Sequence, residues 1–353
     1  MLDLAQLESF LNARLLGQRE AIAEFVSAIL RAEGGPPRPG RTRAFVLLLG
    51  PTGTGKTEMV NLTARFLYGT EAAARLERFD MGEYQHPDSV KRLLGAPDQP
   101  PLLGRAIERL NTRGGGILLL DEIEKAFPDL LTALLSFDSA RSTMFDGTTH
   151  DLSRLVVVLT SNLGAAEAAR MENSGYSAIT RKLRHAAEER FRKEGVARFT
   201  AVCCLTVLTY PVQEQITRNA LASELKLQSV HLRRLVLAAP EVVTFLVGKG
   251  FSPDLGARNI RNCVERHVGE ALRAHTFGPA SAASALPEAA VSIGDRWSEA
   301  LVLRVHADAL TAGPVERTVP LRAALENAEP EHPASPPAGA MTGGRDAFLS
   351  VST

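Results

Sequence analysis

A glycine-rich segment carrying one lysine stands directly after an apolar run. Residues 50–57 read Gly-Pro-Thr-Gly-Thr-Gly-Lys-Thr, and residues 45–49 before them are all apolar. This is the complete P-loop pattern in its usual setting, between a buried strand and a helix. Glycines without a Cβ let the backbone curl and point its N–H groups at a phosphate. The segment therefore predicts a loop that binds a nucleotide.

The residues of this loop have separate expected roles. Lys56 supplies a cation for the outer phosphates. Thr57 offers a hydroxyl to Mg²⁺ at the start of the next helix, where the helix dipole also favours anions. The alternative is a flexible glycine-rich turn, which the flanking strand and helix disfavour. The predicted nucleotide-binding residues are Gly50, Pro51, Thr52, Gly53, Thr54, Gly55, Lys56 and Thr57.

Two carboxylates and an amide follow later apolar runs. Asp121 and Glu122 come directly after residues 117–120. Asp121 can orient Mg²⁺ or its waters, and Glu122 can polarise an attacking water. Asn162 ends the next apolar run, where its amide can hold that water or the γ-phosphate. The alternatives are an exposed acidic turn for the carboxylates and a helix cap for Asn162.

These residues need a sheet whose strand ends lie together. Between residues 43 and 210, short apolar runs alternate with helical patterns, which predicts an α/β fold around a central parallel sheet. From Pro211 onward the pattern is helical, with a possible terminal strand at 300–306. Residues 311–353 are rich in Pro, Ala, Gly and Glu and are predicted to be disordered. The candidate sheet strands are 44–49, 76–80, 117–120, 155–160 and 202–208.

Composition narrows the class of protein. The 353 residues include 40 basic and 40 acidic ones, so net charge does not direct the chain to nucleic acid or to a membrane surface. No apolar run reaches the roughly 20 residues of a membrane span. The N-terminus shows no signal-peptide pattern, and the three cysteines lack metal-ligand spacing. We therefore expect a cytoplasmic protein with reduced thiols, no membrane span and no nucleic-acid partner.

The combination of segments resembles the second ATPase module of the Clp unfoldases, in the ClpA/ClpB branch of the AAA+ superfamily. The resemblance covers about residues 10–305. It implies an AAA+ P-loop fold, in which a parallel-sheet α/β domain is followed by a small α-helical lid domain. The matching segments are Leu16–Ala21, Leu49–Thr57, Phe79–Tyr84, Leu93–Pro97, Leu120–Pro128, Leu159–Gly164 and Phe251–Arg258. The predicted divisions are N-terminal helices and linker at 1–40, the large domain at 41–210, the lid at 211–310 and the tail at 311–353.

The resemblance assigns further residues to the nucleotide. Leu16 and Gly17, with Leu15, would lie against the adenine. Arg258 is similar to the sensor-2 arginine of the small domain, which would reach the γ-phosphate within the same subunit. A surface arginine without that role is the alternative for Arg258.

Arg198 resembles the arginine finger that enters the neighbouring subunit's site, where it would stabilise charge in the transition state. The segment departs from the family pattern, and an ordinary surface arginine remains the alternative for Arg198. A finger acting between subunits implies a ring, expected to be a hexamer. The departures are Lys193, Gly195 and Ala197, which replace the usual Pro, Phe and Asn.

The segment expected to grip polypeptide also departs from the family. Gly95-Ala96-Pro97 is followed by Asp98-Gln99-Pro100-Pro101, with no aromatic residue. Leu102 and Leu103 are either a weaker substitute contact or part of a packing turn. We expect an ATP-hydrolysing, Mg²⁺-dependent remodeller of a protein partner. The alternatives are a nucleotide-switched scaffold of a larger assembly and, less favoured by the charge balance, a nucleic-acid-directed ATPase.

Overall fold

The computed structural model describes residues 6–35, 38–171, 174–251, 256–277 and 300–314. Strands alternate with helices up to residue 210, and helices predominate after it. The helices are α1 (Gln6–Asn12), α2 (Arg19–Gly34), α3 (Lys56–Tyr68), α4 (Pro87–Leu94), α5 (Leu102–Thr112), α6 (Pro128–Leu134), α7 (Ala165–Arg170), α8 (Tyr176–Val196), α9 (Tyr210–Leu232), α10 (Glu241–Gly250) and α11 (Ala257–Phe277). The strands are β1 (Ala44–Leu49), β2 (Leu76–Asp80), β3 (Gly116–Asp121), β4 (Arg141–Thr143), β5 (Thr149–Asp151), β6 (Leu155–Ser161), β7 (Ala201–Cys204), β8 (Leu235–Ala238), β9 (Ala300–His306) and β10 (Ala309–Pro314).

A five-stranded parallel sheet organises the first part of the chain, in the order β2-β3-β6-β1-β7. Every residue of β1, β3 and β6 is buried, as expected for apolar strands covered on both faces. The register pairs Leu49 with Ser161 and Asp80 with Asp121. Because the strands are parallel and end at similar heights, the residues that follow β1, β3 and β6 meet at one edge.

Side chains of β1 alternate between two cores. Phe45, Leu47 and Leu49 belong to the core that includes residues of α5 and α8. Val46 and Leu48 belong to the opposite core, which includes residues of α2 and α3. This period of two fixes the register of β1, since a slip of one residue would exchange its two faces.

The lid is mainly helical, as predicted, and it also contains strands, including β9 at the 300–306 position where a terminal strand was expected. Helices α9, α10 and α11 pack with a second sheet in the order β10-β9-β8. Residues 311–314 belong to β10, so they are part of the lid and not of the tail predicted from 311. Leu310 of β10 is buried and pairs with Val305. The rest of the predicted tail lies outside the described residues.

The short strands β4 and β5 form an antiparallel hairpin beside the segment that lacks an aromatic residue. The backbone N–H of Phe145, at the hairpin tip, donates to Leu94 O at 2.8 Å. Leu103 is fully buried in the core, and Leu102 packs against that core. The prediction that Leu103 could be a substrate contact is therefore wrong, because its side chain is buried in the core and packs α5 against it. Phe145 itself is 51% exposed.

The last strand of the main sheet is shorter than predicted. The strand expected at 202–208 ends at Cys204. All three cysteines are buried free thiols, and burial raises the pKa of Cys204 to about 12, which disfavours the reactive thiolate. Within the described ranges, each helix is either too short or too polar to traverse a lipid bilayer.

Candidate nucleotide site

A cleft of about 1060 Å³ lies between the carboxyl edge of the main sheet and the lid. One wall is the P-loop together with the residues that follow β3 and β6. The other wall consists of residues from α9 and α11. Such a crevice beyond the carboxyl ends of parallel strands is the usual place for a ligand in an α/β protein.

The P-loop backbone requires its glycines. Gly50, Gly53 and Gly55 have φ angles of 147°, 73° and 104°, in the region that side chains disfavour. A Cβ on Gly50 would lie 2.3 Å from Leu205 O, and one on Gly55 would lie 2.3 Å from Leu15 Cδ1. The loop is therefore a cradle of backbone packed tightly from behind, which suits close approach of a phosphate.

Lys56 is buried at the mouth of this cradle. Its Nζ donates to Gly50 O at 2.7 Å, to Pro51 O at 2.8 Å and to Asn162 Oδ1 at 2.8 Å. Burial lowers the pKa of Lys56 to about 8, although nearby carboxylates, with Glu124 the largest contributor, act in the opposite direction. All three donors of the ammonium are thus engaged by neutral oxygens, so no contact neutralises its charge and a phosphate would replace one of these acceptors. Gly50 and Pro51 contribute carbonyls to the lysine and do not themselves line the cleft.

The Asp121 carboxylate is surrounded by donors. Thr57 Oγ1 lies 3.2 Å and 3.1 Å from its two oxygens, and the Thr160 hydroxyl donates to Oδ1. Arg78 Nη2 lies 2.6 Å from Oδ2. A hydroxyl and a carboxylate side by side beneath a phosphate cradle are hard oxygen donors that suit Mg²⁺. The residues predicted for the metal therefore fit it in chemistry and position.

Glu122 adopts the left-handed conformation, with φ 57° and ψ 50°. Its backbone N–H donates to Thr160 Oγ1 at 3.0 Å, which fixes the start of the turn after β3. The carboxylate forms an ion pair with Lys125, and Asn162 Nδ2 lies 3.4 Å from its Oε1. A strained residue held by its surroundings is a feature of functional sites.

Asn162 connects the two halves of the site. Its backbone N–H donates to Glu124 Oε1 at 3.0 Å, while its side chain reaches both Lys56 and Glu122. The amide thus lies between the phosphate-binding lysine and the carboxylate expected to polarise water. The helix-cap alternative is not observed, since Gly164 is the residue that precedes α7.

The expected base-binding end is apolar. Leu15 and Leu16 line the cleft together with Leu208 and Ile216. Gly17 does not line it; with φ 76° it packs behind, where a Cβ would lie 2.9 Å from Val212 Cγ1. Gly17 therefore shapes this end without facing the cleft.

The two predicted arginines occupy different places. Arg258, in the first turn of α11, lines the cleft. Arg198 lies outside it: its side chain is about half exposed, 3.4 Å from Leu135 O and 3.7 Å from Asp138 Oδ1. α8, which precedes it, is interrupted at Arg192, with φ 62°. The structure therefore brings Arg258 to the other site residues and leaves Arg198 at the surface.

Sequence reasoning missed several residues that organise this site. Arg78 and Lys125 form ion pairs with Asp121 and Glu122, and Thr160 of β6 is hydrogen-bonded to both acidic residues at the end of β3. Gln18, only 2% exposed, donates from Nε2 to Thr206 O at 2.9 Å and accepts from Thr206 N at 3.0 Å, which holds the N-terminal segment to the end of the sheet. In the sequence, the position of Arg78 two residues before the end of a predicted strand was the signal that could have identified it.

Comparisons with known proteins match most of the described chain. The family model for the AAA domain (Cdc48 subfamily) matches residues 41–202, and that for the C-terminal D2-small domain of ClpB matches 212–277. Chaperone protein ClpB 1 of Nostoc sp. is 34% identical over 280 residues, which are 76% of this chain and 31% of that protein. ClpB of Meiothermus ruber is 35% identical over 278 residues (75% and 31%), and ClpB of Pseudomonas putida 32% over 303 residues (81% and 34%). The chain spans about a third of the length of these relatives.

Proposed function

Because this chain belongs to the Clp unfoldase family and carries a ClpB-type AAA+ ATPase module, we propose that it binds and hydrolyses ATP with Mg²⁺. We further propose that it does so in a ring, expected to be a hexamer, and uses the turnover to remodel or unfold a protein partner. One observation supports the proposal above all. The cleft is lined by Lys56, Thr57, Asp121, Glu122 and Asn162 on one wall and by Arg258 on the other.

Each side chain has a defined task in this proposal. Lys56 and the P-loop N–H groups bind the phosphates, and Thr57 and Asp121 hold the metal. Mg²⁺ would neutralise the phosphate oxygens on which charge develops. Glu122 accepts a proton from, or orients, the attacking water, and Asn162 fixes that water between Glu122 and the phosphate held by Lys56. The contacts of Asn162 with Lys56 at 2.8 Å and with Glu122 at 3.4 Å support these assignments.

The proposed ring places Arg198 in the neighbouring subunit's site. Its half-exposed side chain makes only long contacts, to Leu135 O at 3.4 Å and to Asp138 Oδ1 at 3.7 Å, so little is lost when it leaves that position. An arginine that completes a neighbour's site makes turnover depend on assembly. The remodelling of a protein partner rests on the family and on the exposed hairpin carrying Phe145, which is available for contact.

Steady-state phosphate release tests the proposal directly. Wild type and Glu122→Gln are compared at saturating ATP and Mg²⁺, with Glu189→Gln as a control at an exposed position of α8. We expect Glu122→Gln to retain ATP binding and to lose turnover by at least about a hundredfold, as for loss of a general base. If wild type releases no more phosphate than Glu122→Gln while still binding ATP, the chain is instead a nucleotide-switched scaffold.

A trap experiment addresses the partner. Glu122→Gln loaded with ATP should retain a bound polypeptide that wild type releases after turnover. A model unfolding substrate is incubated with wild type and ATP in parallel. Complete protection of that substrate, together with active phosphate release, would exclude general unfolding and leave remodelling of one specific complex.

A further inference from the structure

Arg78 reaches the buried carboxylate of Asp121 from the neighbouring strand. It lies on β2, at the edge of the main sheet, and its Nη2 is 2.6 Å from Asp121 Oδ2. Asp121 is the carboxylate assigned above to the metal. The same oxygen also receives the Thr57 hydroxyl at 3.1 Å. The Arg78 guanidinium and the Thr57 hydroxyl, a second candidate metal ligand, therefore both contact the same oxygen of Asp121.

Charge balance explains why the guanidinium is there. The Asp121 side chain is only 6% exposed, and a buried carboxylate without a compensating charge is costly. Lys56 does not supply that charge by contact, because its Nζ is bonded to Gly50 O, Pro51 O and Asn162 Oδ1. Arg78 is the cation that contacts Asp121 among the described residues.

Arg78 and a bound Mg²⁺ would compete for the Asp121 carboxylate. Mg²⁺ binds oxygen at about 2.0–2.1 Å and holds its ligands in strict octahedral geometry. A guanidinium at hydrogen-bond distance from the same oxygen would repel the dication and obstruct a coordinated water. The Arg78 side chain is 46% exposed, so it can turn outward and exchange one partner for water. Asp121 has no such freedom, because Thr57 and Thr160 also hold it.

We propose that Arg78 occupies the cation position at Asp121 in the nucleotide-free protein and is displaced when the metal–nucleotide complex binds. Arg78 thereby sets the Mg²⁺ concentration that the site requires. This inference rests on the proposed function, since it assumes that the cleft binds a nucleotide with Mg²⁺. Part of the binding free energy of the metal is spent on breaking the Arg78–Asp121 pair.

The test measures metal affinity rather than turnover. A fluorescent ADP analogue is bound to the full chain, and Mg²⁺ is varied from EDTA-treated to saturating conditions. Arg78→Met should lower the half-saturating Mg²⁺ concentration by roughly fivefold, the equivalent of one partly exposed ion pair. Arg78→Lys, which keeps the charge on a less suitable group, should give an intermediate value and serves if Arg78→Met folds poorly.

Two controls separate this pair from general charge effects. Arg109 of α5 pairs with Glu77, the neighbour of Arg78 on β2, at 2.7 Å and 2.9 Å. Arg109→Met removes this arginine and should leave the Mg²⁺ requirement unchanged. Lys125→Met removes a cation from the cleft but leaves the Asp121 pair intact. If Lys125→Met lowers the requirement as much as Arg78→Met, the effect is general and the inference fails.

The remaining outcomes are equally decisive. A higher Mg²⁺ requirement for Arg78→Met would show that Arg78 supports the metal ligand, and an unchanged one would show no competition. Either result overturns the inference while nucleotide binding stands. If wild type binds no adenine nucleotide at any Mg²⁺ concentration, the proposed function itself fails.

Discussion

The Thr160 hydroxyl accepts a hydrogen bond from the backbone N–H of Glu122 at 3.0 Å. The same hydroxyl donates to the Asp121 carboxylate. A single fully buried side chain on β6 thus fixes the expected metal ligand and the expected water-activating residue, both at the end of β3. The relative position of the two acids depends on a residue that performs no chemistry itself.

Thr160→Val should therefore damage the site more than the fold. The substitution preserves shape but leaves the Glu122 N–H without its partner, at an expected cost of about 1–3 kcal/mol in the free energy of unfolding. Phosphate release should fall further than nucleotide affinity, because Glu122 is no longer fixed. Urea unfolding and steady-state kinetics measure the two effects.

The matched control is Thr63→Val, which removes another fully buried hydroxyl. Thr63 Oγ1 donates to Met59 O at 2.8 Å inside α3, away from the acids. We expect it to alter stability slightly and to leave phosphate release near wild type. Equal loss of turnover in both variants would mean that Thr160 acts only through general stability.

Nucleotide affinity should decrease as pH rises through the pKa of Lys56. Burial lowers that pKa from 10.5 to about 8, so the nucleotide-free protein loses this proton well below the pH at which an exposed lysine does. A phosphate beside Nζ favours the charged form and raises the pKa. Binding should then take up a proton above about pH 8 and weaken by up to roughly tenfold between pH 7 and 9.

Calorimetry in buffers of different ionisation enthalpy measures this proton uptake. Lys56→Met should bind weakly at every pH and show no proton uptake above pH 8. A wild-type affinity that is flat from pH 7 to 9 would contradict the assignment of Lys56 as the titrating cation. The folded-state shift also implies that the nucleotide-free protein gains stability from this group as pH rises from about 8 toward 10.5.

Gly55→Ala should abolish nucleotide binding and destabilise the protein. The new methyl would combine a φ of 104° with a 2.3 Å approach to Leu15 Cδ1. The left-handed conformation alone costs roughly 1–2 kcal/mol, and the collision adds to it. Gly147→Ala is the matched control, because Gly147 has a φ of 87° but nothing within 4 Å.

Thermal unfolding and fluorescent-nucleotide binding separate the two glycines. Gly147→Ala should show only the backbone cost and bind nucleotide normally. If the two variants lose equal stability, Leu15 can move away from the new methyl group, and the P-loop at Gly55 is not tightly packed against it.

Mixing two inactive variants tests whether Arg198 acts between subunits. Arg198→Ala and Glu122→Gln should each be nearly inactive alone. In a mixed ring, an intact Glu122 can meet an intact Arg198 from the adjacent subunit at about a quarter of the interfaces, which should restore measurable phosphate release. Arg190→Ala, at an exposed position on α8, replaces Arg198→Ala as the control and should be active alone.

Two results would contradict the assignment of Arg198. One is an Arg198→Ala protein that is fully active in an assembled ring. The other is a mixture that remains inactive although subunits exchange, because Arg198 would then be needed within its own subunit or for assembly alone. Sedimentation at the assay concentration establishes the assembly state.

The meeting of the candidate site residues at one edge of the main sheet was predictable because its signals are local. Buried parallel strands such as β1 and β6 appear as apolar runs, and the P-loop with Lys56, the carboxylate Asp121 and the amide Asn162 each stand at the end of such a run. The sheet of the lid was harder to predict from the sequence. β8 has only four residues and pairs with β9, about sixty positions later, through contacts that no local pattern encodes.

Side-chain pairings across strands were also beyond the sequence. The Arg78–Asp121 pair depends on the register of β2 against β3, and the fate of Leu103 depends on where α5 begins. The sequence left Leu102 and Leu103 open between a substrate contact and a packing turn, and only the fold shows that Leu103 enters the core and that Leu102 packs against it. Tertiary packing decided each of these cases.

The backbone N–H of Ala257 donates to Gly53 O at 3.1 Å, and a Cβ on Gly256 would lie 2.7 Å from Thr52 O. The first turn of α11 is therefore joined to the phosphate loop by main chain, without a side-chain intermediary. Any rigid rotation of α11 must either stretch this bond or carry Gly53 with it. The position of the lid and the conformation of the P-loop are thus coupled through the main chain, and this coupling does not depend on which side chains the lid carries.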